Sequence, residues 1–201
     1  MPGLGLPHLL ATAVALLVAV TVHEYAHAYT AVRLGDPTPK RLGRLTLNPL
    51  AHLDPWGTLL LLLAGFGWTK PVPVNPAYFA DPRRGMLMVA AAGPLANLAL
   101  LGALGALARA GIVPELGWLG ELWLRLLYVN AVLAVFNLLP VPPLDGSRIL
   151  GALLPGEWGT LSLRLQPYGP LILLGLVLLG WLDPVIRVPV LWLVRWAAGG
   201  G

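Results

Sequence analysis

The chain has 201 residues, 57% of them hydrophobic and only 11% charged, against about 25% charged in ordinary globular domains. With a mean hydropathy of +0.77, this composition excludes a soluble globular domain and points to an integral membrane protein. The formal charge of +4 comes from basic residues scattered between apolar runs, which argues against a nucleic-acid partner, and the absence of cysteine excludes disulfides, thiolate-held metals and thiol nucleophiles.

The first apolar run starts at Leu4, continues through Val22 and is read as one helical span over about 6–34. A cleavable signal peptide, suggested by Ala26-His27-Ala28, is disfavoured because no Lys or Arg precedes the run. Towards the end of the span stands His23-Glu24-Tyr25-Ala26-His27, an H-E-x-x-H pattern. Residues four apart share a helix face, so His23 and His27 can address one ion, with Glu24 about 100° around the helix. Two imidazoles suit zinc, and the adjacent glutamate suits a general base acting on water. A chance pair of histidines on a helix is the plain alternative. It is weakened by the setting, since ionisable groups in a membrane span are costly and usually functional.

Gly35-Asp36-Pro37-Thr38-Pro39 ends this span and opens a re-entrant or strand-like region over 38–80. Residues 40–47 are expected as a short strand or edge ribbon, and the apolar run 57–67 is too short to cross a ~30 Å core as a helix. The proline-spaced stretch Trp68 to Pro76 is expected to run as an edge strand or to line a groove. His52 and Asn75, both in this region, are candidate substrate contacts, with a capping role as the alternative for His52.

A second span covers about 86–108, where Gly93 and Asn97, near Ala92 and Ala96, let another helix approach closely. Asn97 is a polar group in a span and needs a partner; it too is a candidate substrate contact, with plain helix packing as the alternative. A third span, about 121–139, ends at Asn137-Leu138-Leu139-Pro140 and leads into Val141-Pro142-Pro143-Leu144-Asp145-Gly146. Irregular backbone of this kind survives at membrane depth only where protein or a wet cavity covers it. Asp145 is the only carboxylate between Glu121 and Glu157, and an Asp-Gly turn is its plain reading. A fourth span over about 161–182 and an interfacial segment over 185–197, with Trp192, Arg195 and Trp196, complete a single domain over 1–201. The expected class is therefore an all-α polytopic membrane protein with about four transmembrane helices and a short re-entrant or β-ribbon region after the first.

Charge bias tests the site independently of the motif. If 57–67 dips in and returns, Arg33, Lys40, Arg41, Arg44, Lys70, Arg83, Arg84, Arg148 and Arg164 share one side, which is then cytoplasmic. The first and third spans both run inward, bringing His23, His27 and Asp145 to similar depth.

HEYAH on one span, GPLAN on a second and N-LLPVPPLDG closing a third resemble the site-2 protease family of intramembrane zinc metalloproteases, over roughly residues 10–155. The resemblance implies one zinc ion held by His23, His27 and Asp145, with Glu24 as catalytic base. It also implies that Asn137 helps hold the substrate or the developing oxyanion. Ser147 stands where many members carry a second glycine, and no PDZ or CBS domain is legible, so the chain resembles a minimal core. The implied activity is hydrolysis of a peptide bond in or near the transmembrane segment of a protein substrate. The expected partners are that substrate and the lipid bilayer, with a homo-oligomer allowed. The expected location is a prokaryotic cell membrane, with the active site towards the cytoplasm. The alternative is a divalent-metal transporter or zinc-dependent membrane scaffold without hydrolysis, for which a base beside the first ligand would serve no purpose.

Overall fold

The computed structural model describes residues 5–57, 69–113, 117–154 and 164–199. Helix α1 covers Leu6–Arg33 and stops at Gly35, whose φ of +105° is open to glycine but strained for other residues. A single turn, α2, follows over Thr38–Arg41. Helix α3 runs Pro82–Arg109, started by Asp81, whose side chain accepts from the Arg83 and Arg84 amides, and by Pro82 in the first turn. Helix α4 spans Trp118–Asn137, the short α5 spans Asp145–Leu153, and α6 (Gly169–Leu178) and α7 (Leu182–Ala197) close the chain.

Among the described residues, three helices are long and apolar enough to cross a membrane: α1, α3 and α4. They pack on one another pairwise. Their contact faces follow i, i+4 rows. On α1 the row is Ala11, Ala15, Ala19, His23, His27 and Ala31, all buried; on α3 it is Gly85, Val89, Gly93, Asn97, Leu101 and Gly105. Rows of this spacing form the ridges that seat in a neighbouring helix's grooves, and small residues bring the backbones close. Outside the rows, Leu9, Leu10, Leu95, Leu107 and Leu124 are exposed, as lipid-facing positions should be.

Several expectations are corrected. No strand forms among the described residues: 38–41 is helical, and the ribbon reduces to one antiparallel bridge between Leu53 and Thr69, because prolines at 71, 73 and 76 deny the segment ladder donors. Residues 58–68, and with them Trp68 and most of the expected re-entrant run 57–67, lie outside the described residues. Instead of one helix over 161–182, α6 and α7 form a pair bent by 82°, with Gly180 (φ +69°) at the break. The last segment, expected to be interfacial, also packs on the bundle. Val190 and Ala197 of α7 join Leu101, Leu104, Leu127 and Ala131 in one buried cluster, while Trp192 and Trp196 stay exposed.

Candidate metal centre

His23 and His27 lie one helical turn apart on the buried face of α1, and Asp145 opens α5 directly opposite. The two Nε2 atoms are 3.0 Å apart, and each lies 3.1 Å from Asp145 Oδ2. All three side chains are buried.

The proton positions follow from the partners. Asn97 Nδ2 donates to the Ala19 carbonyl (3.0 Å) and to Asn130 Oδ1 (2.9 Å), so its Oδ1 faces His23 Nδ1 (2.7 Å) as an acceptor. His23 therefore carries its hydrogen on Nδ1. His27 Nδ1 donates to the Val89 carbonyl at 2.7 Å, which fixes the same tautomer. Both rings thus turn a bare Nε2 lone pair towards a carboxylate oxygen. With both imidazoles neutral, the three converging acceptors repel one another unless a cation lies among them. Tetrahedral zinc with bonds of ~2.0–2.1 Å spaces its ligands by about 3.3 Å, close to the triangle observed, and leaves a fourth position for water. The donor set fits zinc.

Two glycines make this geometry accessible. A Cβ on Gly93 would lie 2.4 Å from His27 Nε2 and 2.6 Å from His23 Cε1, so α3 must present bare backbone to the imidazoles. A Cβ on Gly146 would lie 2.2 Å from the Leu138 carbonyl oxygen, so the residue after Asp145 must be glycine for α5 to tuck under the end of α4. The Asp-Gly pair is a helix start rather than a free turn, steadied by Ser147 Oγ donating to the Leu144 carbonyl at 2.8 Å. At its other end, Arg83 donates through Nε to the Ala152 carbonyl and through Nη2 to that of Leu153 (2.9 Å).

Glu24, 7% exposed, accepts a hydrogen bond from Thr69 Oγ1 at 2.9 Å. Thr69 is held in turn. It bridges Leu53, the Lys70 amide donates to the His52 carbonyl (2.9 Å), and the buried Arg44 donates to the carbonyls of Ala51 (2.6 Å) and Lys70. Burial lowers the pKa of Arg44, opposed by the negative charge of Glu24.

Of the remaining candidates, only Asn97 touches the triangle, from behind through His23 Nδ1. Asn97 is 0% exposed, and its amide is fully engaged inside the bundle. Asn137 donates to the Leu133 carbonyl one turn back (3.0 Å) and is half-buried at the end of α4. Asn75 is exposed and caps the turn Pro76–Tyr78, while its backbone amide donates to the buried Asp36 carboxylate at 2.7 Å. His52 is fully buried and ends the turn Pro49–Ala51; its Nε2 donates to the Thr46 carbonyl at 2.9 Å. Sequence reasoning overlooked Thr69, Arg44 and Asn130. A polar Asn130 within an apolar span was a legible signal; the other two join segments too far apart in the chain to pair by inspection.

The model of peptidase family M50 matches residues 101–179. YwhC of Bacillus subtilis (strain 168), a candidate zinc metalloprotease by name, is 43% identical over 179 residues, covering 84% of this chain and 79% of that protein. Rip2 of Mycolicibacterium smegmatis, named in the same way, is 38% identical over 146 residues, 69% of this chain and 54% of its own length. Zinc metalloprotease MJ0392 of Methanocaldococcus jannaschii is 28% identical over 147 residues, 73% of this chain and 35% of its own. The chain thus spans about half of Rip2 and about a third of MJ0392. No solved structure matches it.

Proposed function

The chain belongs to peptidase family M50, the site-2 protease family, and from that premise we propose that it cleaves a membrane-protein substrate in or near its transmembrane segment, using one zinc ion. The convergence of His23 Nε2, His27 Nε2 and Asp145 Oδ2 within 3.1 Å of one another, with both histidine tautomers fixed from behind, carries this reading. Zinc in that triangle would polarise a water and lower its pKa towards ~7.

The protein's own groups supply the remaining steps. Glu24 takes the proton of the attacking water as its oxygen bonds to the scissile carbonyl carbon. The same proton then passes to the departing amide nitrogen as the C–N bond breaks, leaving a carboxylic acid and an amine, and the acid's proton then moves to the amine to give carboxylate and ammonium. Asn137, at the mouth of α4, is proposed to donate to the carbonyl oxygen as negative charge develops there. Its Nδ2 carries two hydrogens, so one can stay on the Leu133 carbonyl while the other serves that role. A substrate helix must unwind locally to be cut, since its carbonyls are otherwise paired. Among the described residues the proline-spaced segment 69–76 has no ladder partner beyond the Leu53–Thr69 bridge, and its carbonyls, with the amides of Val72 and Val74 between the prolines, are proposed to meet an unwound substrate strand. Bacterial and archaeal relatives support a prokaryotic cell membrane, and the clustering of basic residues near the site supports a cytoplasmic-facing centre.

Reconstitution in liposomes with a single-span substrate tests the reading, with the cut site mapped by mass spectrometry. Cleavage within or beside the span, abolished by a zinc chelator and restored by zinc, is expected. Cuts confined to soluble parts of the substrate, or cleavage indifferent to chelation, would contradict it.

A further inference from the structure

We infer that Thr69 is a positioning residue for the catalytic base: it fixes one oxygen of Glu24 and so makes the base's aim depend on the segment that is to receive substrate. The inference rests on the protease reading of the same site. Its starting point is the hydrogen bond from Thr69 Oγ1 to Glu24 Oε1 at 2.9 Å, between residues 45 positions apart in the chain. An ionised carboxylate only accepts, so the hydroxyl must donate. With Oε1 engaged, Oε2 remains to take the proton, and the side chain loses the freedom to turn away. A glutamate has three rotatable side-chain bonds and depends on such support when little else locks it. No other hydrogen-bond partner of the Glu24 carboxylate is seen among the described residues.

The anchor is itself anchored. Thr69 pairs with Leu53 in an antiparallel bridge, and the next residue's amide donates to the His52 carbonyl at 2.9 Å. Arg44, only 4% exposed, ties the two sides together by donating to the carbonyls of Ala51 and Lys70. Further along, the buried Asp36 carboxylate at the end of α1 accepts from the Asn75 amide at 2.7 Å. The segment 69–75 is therefore pinned at one end to the base and at the other to the helix that carries it. A substrate strand that adds to 70–74 presses on a segment whose first residue holds Glu24. Binding and base placement are coupled through Thr69.

The test compares wild type with Thr69→Val, which keeps the branched shape but removes the donor, and Thr69→Ser, which keeps the donor but drops a methyl. Zinc content, thermal midpoint in detergent, and kcat and KM on a single-span substrate are measured for each. For Thr69→Val we expect kcat to fall roughly 10-fold or more, with KM within about twofold and wild-type zinc content. Thr69→Ser is expected to recover most of the lost kcat. Equal kcat in wild type and Thr69→Val would overturn the inference. So would a serine variant as impaired as valine, which would indicate packing, or a loss confined to KM, which would indicate substrate binding alone. A wild type that binds no zinc and cleaves nothing would instead bring down the protease reading, and the inference with it.

Discussion

Asn97 joins three helices at the candidate metal centre, accepting from His23 and donating to Ala19 of α1 and Asn130 of α4. Its replacement by alanine removes the acceptor that keeps His23 in the ligating tautomer. Loss of such a supporting hydrogen bond typically weakens metal binding ~10- to 100-fold. Asn97→Ala should therefore lower zinc affinity by about that factor, as read by competition with a chromogenic chelator; unchanged affinity would remove Asn97 from the account. Gly93→Ala should be more severe, because its Cβ would sit 2.4 Å from His27 Nε2 and against His23 as well. Purified Gly93→Ala is expected to carry well under one zinc per chain, and stoichiometric zinc would contradict the close approach. At this scale the sequence was most legible where chemistry is local. His23, Glu24 and His27 sit within five residues, and their helical spacing alone aims them. The tautomers were not legible, because they depend on Asn97 and Val89, which are 74 and 62 residues away from the rings they hold.

The helices meet along rows of residues four apart, and this pattern was present in the sequence although only its His23–His27 and Gly93–Asn97 steps were singled out. Ala11, Ala15 and Ala19 lead directly into His23 and His27, so the face that packs α1 also delivers the ligands. The same logic governs the far end of α3. A Cβ on Gly105 would lie 3.0 Å from Ala197 Cα and the Ala197 carbonyl oxygen, which lets α7 lie close. Gly105→Leu should push α7 away and destabilise the protein by about 1–3 kcal/mol, measured by reversible unfolding in detergent; unchanged stability would mean that this contact is not kept. What hid α7 from a sequence reading is its composition. Trp192, Arg195 and Trp196 mark an interface by residue type, yet Val190 and Ala197 on the opposite side of the same helix are core. The expected ribbon failed for a related reason. Leu42, Leu45 and Leu47 alternate poorly but suggested a short strand; Arg44 instead turns inward to bond backbone carbonyls, and the prolines of 71–76 leave few amides for a ladder.

For the molecule as a whole, charge and geometry agree. Arg83 and Arg84 begin α3 at the end of the bundle where α5 and the ligand triangle lie, while Arg109 ends α3 at the other, where it donates to the Trp196 carbonyl and stacks on that ring at 4.7 Å. Because the chain has no cysteine, single-cysteine variants report sidedness without background. Arg84→Cys, on a side chain 85% exposed, should react with an impermeant thiol reagent only from the cytoplasmic side. Ile112→Cys, 61% exposed beyond α3, should react only from outside. The reverse pattern would invert the topology. The overall class was legible because hydropathy and a few motifs dominate a membrane chain. The bend between α6 and α7 was not, since Gly180 and Pro184 mark a break without giving its angle.

Glu24, proposed as a base distinct from the metal ligands, is tested most directly by comparing wild type with Glu24→Gln, each assayed for bound zinc and for cleavage of a single-span substrate. Glutamine keeps the shape but cannot take a proton, so zinc content should match wild type while cleavage falls by ~10²-fold or more. Zinc bound equally, with cleavage undiminished in Glu24→Gln, would contradict the assignment.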